Sequence, residues 1–328
     1  MAGRSWDPNV LSGSPELETC AATEIAGSFC LPTEAIGRYH AERVLSTGAM
    51  GAVVTARERS SNDLVVIKLL HPQQRFDPVP VARIRQEARA LAEVASEHVV
   101  RLVGTGWSEP IGPYLVLEFL AGIDLCRMLE QSGPLPLPLA LDYLLQACDA
   151  LGVAHAAGIV HLDVKPENFF VVADAEPHLK LLDFGISRYV APSPLSASNM
   201  LEQCAEAQLV GTPSYMAPER LLEHSDVDHR SDIWSMGVVL HELLTGRSLF
   251  GSADVAETCA RVVRNAPVDL EPNRGVLPPP IRAIVERCLA RNPEHRFQSV
   301  QELAAHVYNA RILPDRWRGF LTGVFRKE

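Results

Sequence analysis

The chain has 328 residues, 47% hydrophobic and 21% charged, a soluble globular composition with length for two modest cores. Its formal net charge of -10 argues against a general nucleic-acid binder, because neutralising phosphates takes surplus Lys and Arg. Seven cysteines without a C-x-x-C pair point to reduced, structural thiols of a cytoplasmic protein and away from a zinc site.

Residues 1–36 are rich in Ser, Pro, Gly and Glu with no sustained period, and are expected to be a flexible extension. Arg4, Asp7, Glu16 and Glu18 interrupt any apolar core of signal-peptide type. Val44-Leu45, a Gly-containing turn and Val53-Val54-Thr55-Ala56 then predict a hairpin. The run Leu64 to Leu70 predicts a buried strand. Val79 to Ala95 predicts a helix, with Ile84, Ala88, Leu91 and Ala95 on one stripe. Val99 to Val103 and Tyr114 to Phe119 predict two more strands.

Beyond Ala121 the pattern turns helical. Leu139 to Ala157 carries Leu141, Leu144, Leu145 and Cys148 at i, i+3, i+4 and i+7. Further helices are predicted over Ser231 to Thr245, Ala253 to Val263, Pro280 to Ala290 and Ser299 to Ala310. The apolar stretch Met236 to Leu244 is short and holds His241 and Glu242, so it reads as a buried helix and not a transmembrane segment. At the C-terminus, Trp317, Phe320, Leu321, Val324 and Phe325 form an apolar stripe among basic residues. It is expected to pack as a last amphipathic segment, with a membrane surface or a partner as the alternative.

The chemistry concentrates in His161-Leu162-Asp163-Val164-Lys165-Pro166-Glu167-Asn168 and in Asp183-Phe184-Gly185. Between them, Phe169 to Val172 and His178 to Leu182 flank the turn-like Ala173 to Pro177, which predicts a β-hairpin. Antiparallel strands return to their origin, so Asn168 and Asp183 are expected near one another. Two oxygen-bearing side chains on a rigid hairpin suit a hard cation such as Mg²⁺. Asp163 stands just upstream, where it can orient or deprotonate a hydroxyl.

H-x-D-x-K-x-x-N followed by D-F-G resembles the catalytic and magnesium loops of the protein kinases. The resemblance runs from about Tyr39 to Ala310. It implies an α+β, bilobal protein-kinase fold, with a small sheet-rich N-lobe containing one helix (37–120) and a larger, mainly helical C-lobe (121–312). A basic amphipathic tail, 313–328, follows. By this resemblance Leu45 to Val53, with Ser46, Gly48 and Gly51, is the loop over the ATP phosphates. Lys68 of Val65-Val66-Ile67-Lys68 reaches those phosphates and is held by Glu87, with Glu93 as a rival. Leu117, Glu118 and Leu120 belong to the adenine-binding connector, and Leu117 gates the pocket. Asp124 contacts ribose or simply caps a helix. Asp163 accepts the substrate proton, Lys165 neutralises the transferred phosphate, and Asn168 and Asp183 hold Mg²⁺.

The segment Gly211-Thr212-Pro213-Ser214-Tyr215-Met216-Ala217-Pro218-Glu219 resembles a kinase peptide-positioning loop. Lys165 and Thr212 match the serine/threonine type, which implies protein substrates with Ser/Thr acceptors, autophosphorylation included. A Glu219–Arg296 bridge and a buried Asp232 bracing the catalytic loop are implied as structural. Gly158-Ile159-Val160-His161 and His241-Glu242-Leu243-Leu244-Thr245-Gly246 resemble the bacterial branch of eukaryotic-like kinases.

The chain departs from the family pattern at Ser46, where the family has Gly, and at Leu162, where many members have Arg. Leucine cannot pair with phosphate, so control is expected not to depend on phosphorylation of Ser187, Ser193, Ser196 or Ser198. A nucleotide-binding scaffold and a small-molecule kinase are the competing readings. The catalytic set argues against the first and the peptide-positioning loop against the second. Oligomeric state is not legible in the sequence.

Overall fold

The computed structural model describes residues 36–48, 51–109, 111–185, 187–189, 212–222, 227–264, 270 and 277–311. Residues 1–35 of the expected N-terminal extension and the C-terminal tail lie outside these, as do Ser193, Ser196 and Ser198, whereas Ile36, expected to end the flexible extension, is buried in the sheet core because its side chain joins an apolar cluster there. The chain divides into two compact units. The described residues up to Ala95, with Val99–Ala121, form one. Ser96–His98 and the described residues from Gly122 onward form the other.

The first unit is a five-stranded antiparallel sheet and one helix. The strands are β1 (Tyr39–Gly48), β2 (Gly51–Glu58), β3 (Leu64–Leu70), β4 (Leu102–Ser108) and β5 (Gly112–Glu118). They lie in the order β1-β2-β3-β5-β4. The predicted hairpin is present, with Val44 opposite Val54 and Gly48 opposite Gly51. Alternation along β2 and β3 buries Ala52, Val54, Val65, Ile67 and Leu69, which pack with Ile36, Tyr39 and Val116 in one apolar cluster. Helix α1 (Pro78–Glu93) begins at Asp77, whose carboxylate accepts the Val79 amide at 3.0 Å. Pro78 suits the first turn, where no backbone donor is needed. Its Ile84 packs on Leu70 and Leu115.

The strand expected over Val99–Val103 starts at Leu102 instead and runs to Ser108. The chain just before Val99 is committed elsewhere. The His98 carbonyl accepts the Leu181 amide at 2.8 Å, and His98 Nδ1 pairs with the Leu179 carbonyl at 2.9 Å. Meanwhile Gly104 and Gly106 conceal β4 from a propensity reading. Gly106 is required by packing, because a Cβ there would lie 2.2 Å from the Tyr114 ring.

The second unit is mainly helical. It holds α2 (Leu125–Ser132), α3 (Leu137–Ala156), α4 (Pro218–Leu221), α5 (Arg230–Thr245), α6 (Val255–Val263), α7 (Pro279–Cys288) and α8 (Val300–Arg311). Short strands β6 (Gly122–Asp124), β8 (Phe169–Val172) and β9 (His178–Leu181) form a sheet in the order β6-β8-β9, and β7 (Ile159–Val160) pairs with β10 (Arg188–Tyr189). Helix α3 is central, packing on α8, α5, β7 and β9. By length and composition it could cross a membrane, more so than the Met236–Leu244 stretch singled out in the sequence. Yet 61% of its apolar window is buried inside the protein, as befits a core helix.

Cys126, Cys148, Cys259 and Cys288 are free thiols. Burial raises the pKa of Cys126 to about 11 and of Cys288 to about 12, and pushes Cys148 up as well. Thiols held protonated in this way are poor nucleophiles and metal ligands.

Candidate active site

In the first unit, Lys68 points from β3 toward α1. Its Nζ donates to both Glu87 oxygens, at 2.9 and 2.8 Å. Glu87 is buried, as its place beside Ile84 and Leu91 requires. Glu93 lies exposed at the helix end. The β1–β2 hairpin that carries Ser46, Gly48 and Gly51 closes beside this strand. Gly51 has φ 157°, and a Cβ there would lie 1.8 Å from the Leu69 carbonyl oxygen, so only glycine fits. Ser46 sits next to a register shift in β1, between Val44 and Ser46. Leu45 is exposed and Val53 half-buried. Leu117 and Glu118 end β5, and Glu118 Oε1 accepts the Arg101 amide at 2.8 Å. Leu120 follows outside any strand.

In the second unit, Asp124 caps α2 by accepting the Arg127 amide at 2.8 Å, the structural role weighed for it in the sequence. Helix α2 itself went unanticipated, being one short amphipathic stretch.

The segment His161–Asn168 leaves β7 and enters β8. Phe169 pairs with Leu181, and the Leu182 amide donates to the Asn168 carbonyl at 2.8 Å. The hairpin therefore brings Asp183 within one residue of a backbone partner of Asn168. Asn168 Nδ2 donates to the Asp163 carbonyl at 2.7 Å and to Asp163 Oδ2 at 3.1 Å. Lys165 Nζ lies 2.8 Å from Asp163 Oδ2 and donates to Thr212 Oγ1 at 3.3 Å. Asp163, Lys165, Asn168 and Thr212 thus form one connected cluster, although Thr212 lies far along the chain.

His161 fixes the relation between the two loops. Its Nε2 pairs with the Leu182 carbonyl at 3.0 Å, and its Nδ1 accepts the Asp163 amide at 3.2 Å. Those partners assign the Nε2–H tautomer. Its ring meets Phe184 edge-on at 4.8 Å.

Leu162 and Asp183 adopt left-handed backbones, φ 65° and 54°. Such conformations cost about 1–3 kcal/mol for a non-glycine residue and persist where surrounding bonds over-determine them. At Leu162 those bonds are visible. Its amide donates to Asp232 Oδ1 at 2.8 Å, and its carbonyl accepts from Arg220 Nη1. Asp232 Oδ2 also accepts the His161 amide at 2.9 Å and pairs with His155 Nε2 at 2.8 Å. Burial alone would raise the Asp232 pKa; the His155 and backbone hydrogen bonds outweigh it and hold the carboxylate below its usual range. Asp183 Oδ1 accepts the Gly185 amide at 2.9 Å. Ser187 is buried and its hydroxyl donates to the Phe184 carbonyl at 2.8 Å, so it does not belong to the exposed polar loop expected there.

Glu219 and Arg296 form a bidentate pair at 2.7 and 2.8 Å, joined by the Ser231 hydroxyl at 2.7 Å. Burial opposes the Glu219 charge, yet Arg296 holds its pKa below the ordinary value. Sequence reasoning missed three supports: His155, Arg220, and the Tyr215 hydroxyl that donates to Glu242 at 2.6 Å. Arg220 directly follows Ala217-Pro218-Glu219, which is the only signal that could have found it.

Asn168 and Asp183 supply hard oxygen donors, the set Mg²⁺ takes when substrate phosphates and water complete its shell. With Nδ2 committed to Asp163, Asn168 keeps its Oδ1 for such a cation. No cluster of three His, Cys, Asp or Glu residues suited to a metal occurs among the described residues.

Residues 39–309 match the family model described as the protein kinase domain. Over 279 residues the chain is 34% identical to serine/threonine-protein kinase PknB of Mycobacterium tuberculosis, covering 84% of this chain and 43% of PknB. The same values hold for PknB of Mycobacterium bovis. Against serine/threonine-protein kinase PknA of Mycobacterium tuberculosis, identity is 34% over 267 residues, 80% of this chain and 59% of PknA. The chain thus spans about half the length of the curated relatives it matches.

Proposed function

This chain belongs to the protein kinase family, and from that premise we propose that it transfers the γ-phosphate of ATP to serine or threonine hydroxyls of proteins, its own among them. The observation that carries this reading is the Asp163 cluster. Its carboxylate pairs with Lys165 and accepts from Asn168, while the Asp163 backbone amide is tied through His161 to the segment that leads into Asp183.

Each residue then has a part. Asp163 accepts the proton of the attacking hydroxyl, and Lys165 neutralises charge on the phosphoryl group in transit. Lys68, oriented by Glu87, meets the nucleotide phosphates. The Leu45–Val53 hairpin covers the nucleotide, backbone groups at Glu118 and Leu120 hold adenine beside Leu117, and Asp124 reaches ribose. Asn168 and Asp183 hold Mg²⁺, which when bound offsets the negative charge of the β- and γ-phosphates. Thr212, bonded to Lys165, supports the serine/threonine assignment, as does the similarity to the serine/threonine-protein kinases PknB and PknA. The reduced thiols fit a cytoplasmic site of action.

Leu162 underlies the proposed mode of control. Where an Arg would await a phosphate, this chain has a buried apolar side chain whose backbone is held by Asp232 and Arg220. The catalytic loop is therefore set without activation-loop phosphorylation. Alanine at Ser193, Ser196 and Ser198 together is expected to leave the rate within about twofold, whereas loss of activity in a folded protein would refute phosphate-independent control.

The test of the reaction itself is the amino acid that acquires label. Incubation with γ-labelled ATP and Mg²⁺, alone and with a generic basic protein, should give phosphoserine or phosphothreonine. Phosphotyrosine would overturn the specificity. Nucleotide binding without transfer would favour the scaffold reading.

A further inference from the structure

We propose that His71 is a positioning residue that clasps the tip of the β1–β2 hairpin and thereby sets the affinity for the phosphate tail of a nucleoside triphosphate. Its Nε2 lies 2.7 Å from the Gly48 carbonyl oxygen. A carbonyl can only accept, so Nε2 carries the hydrogen and donates it. The bond ties the residue that follows β3 to the turn of the hairpin, 23 positions earlier in the chain. The inference rests on the reading of this hairpin as the cover of a bound nucleotide.

The far end of the hairpin has no apolar packing on its first strand. Leu45, Ser46, Thr47 and Gly48, the last four residues of β1, are all exposed. A Cβ added at Gly48 would meet nothing within 4 Å. The register shift between Val44 and Ser46 interrupts the ladder, and glycine at 48 and 51 adds backbone freedom. A turn built this way opens readily unless a group outside it is bonded to it.

His71 is that group, and its own backbone is fixed. Gly51 stands opposite Leu70, the last residue of β3, so the turn ends beside His71. Pro72 follows, and a residue before proline is confined to extended backbone; His71 has φ -59° and ψ 141°. Its carbonyl accepts the Gln74 amide at 2.8 Å, which anchors it to the short helical turn Pro72–Gln74. The imidazole is thus presented from a rigid support. Because a trans peptide is planar, holding the Gly48 carbonyl also fixes the direction of the N–H in the same peptide unit. Phosphate oxygens bind backbone N–H groups. Donors already held in place need no ordering when the phosphates arrive, whereas free ones cost affinity. The adenine-binding connector after β5 is a different segment, so affinity for the base alone should not depend on His71.

Calorimetric binding of Mg²⁺-ATP and of adenosine to the full chain tests this without any measurement of phosphate transfer. His71→Ala should weaken ATP about fivefold or more and leave adenosine within about twofold of native, which also shows that the variant is folded. His71→Gln places an amide nitrogen where Nε2 stood and should bring ATP affinity back to within about twofold of native. His71→Asn is too short to reach Gly48 and should behave as His71→Ala. Without nucleotide, the Gly51 and Ala52 amides should exchange about threefold or more faster in His71→Ala, while those of α1 keep their protection. ATP affinity unmoved by alanine, equal losses for ATP and adenosine, a His71→Gln variant as weak as His71→Ala, or unchanged exchange at the hairpin would each overturn the proposal alone. A native chain that binds neither ligand would overturn the nucleotide-binding reading, and this proposal with it.

Discussion

Asp232 and Leu162 are 70 residues apart, yet the buried carboxylate accepts the Leu162 amide at 2.8 Å and holds that residue left-handed one position before Asp163. The catalytic loop is therefore braced from α5, by a charge that must be kept ionised to do it. Because the folded-state pKa of Asp232 is depressed, its stabilisation is complete above the unfolded value of about 3.9 and is lost as pH falls through the folded value. Asp232→Ala should cost about 3 kcal/mol or more in urea unfolding at pH 7, since it orphans buried backbone donors. Asp232→Asn should fold better than Asp232→Ala yet show a shallower loss of stability below pH ~4 than the native chain.

His241 gives a second pH dependence at milder acidity. Burial lowers its pKa from 6.5 to about 4. Between those values the unfolded chain binds the proton that the folded chain refuses, so stability declines as pH drops through this window. The full effect is about 3 kcal/mol. Unfolding midpoints between pH 7 and 4.5 should fall steeply in the native chain and less so in His241→Gln.

The Lys68–Glu87 pair should behave as a unit. Lys68→Ala leaves a buried carboxylate without its ammonium partner, at a cost of about 3 kcal/mol. Lys68→Ala/Glu87→Ala should cost less than the two single changes added together. A double-mutant cycle measures this, and strict additivity would show that the pair contributes no coupling.

Gly51 and Gly48 close the same hairpin with opposite tolerance. Alanine at Gly51 must displace the Leu69 carbonyl and adopt a disfavoured backbone, which should destabilise by about 2 kcal/mol or more. Around Gly48 nothing lies within 4 Å of an added Cβ, so alanine there should stay within about 0.5 kcal/mol. Thermal unfolding of the two variants separates them.

What the sequence made legible was periodicity and local motif. The α1 stripe located Glu87 beside buried positions, the strand Val65–Lys68 supplied its partner, and the break at Ala173–Pro177 announced the hairpin that joins Asn168 to Asp183. What it hid was set by tertiary packing. Two glycines masked β4 because the Tyr114 ring needs the space at Gly106. His98, bonded to β9, commits the chain before Val99, and β4 begins only at Leu102. Arg220 and His155 carry no local pattern; their roles exist only because α4 and α3 bring them to Leu162 and Asp232.

In the proposed reaction Asp163 drives phosphoryl transfer from a site assembled by its neighbours. The direct measurement is the single-turnover rate of phosphate transfer from ATP, with ATP affinity determined on the same samples, in the native chain and in Asp163→Asn. Near-equal ATP affinity is expected in the two proteins, with a rate lower by about 10²-fold or more in the variant. Equal rates in the two proteins, or no transfer by a native chain that binds ATP and Mg²⁺, would contradict it.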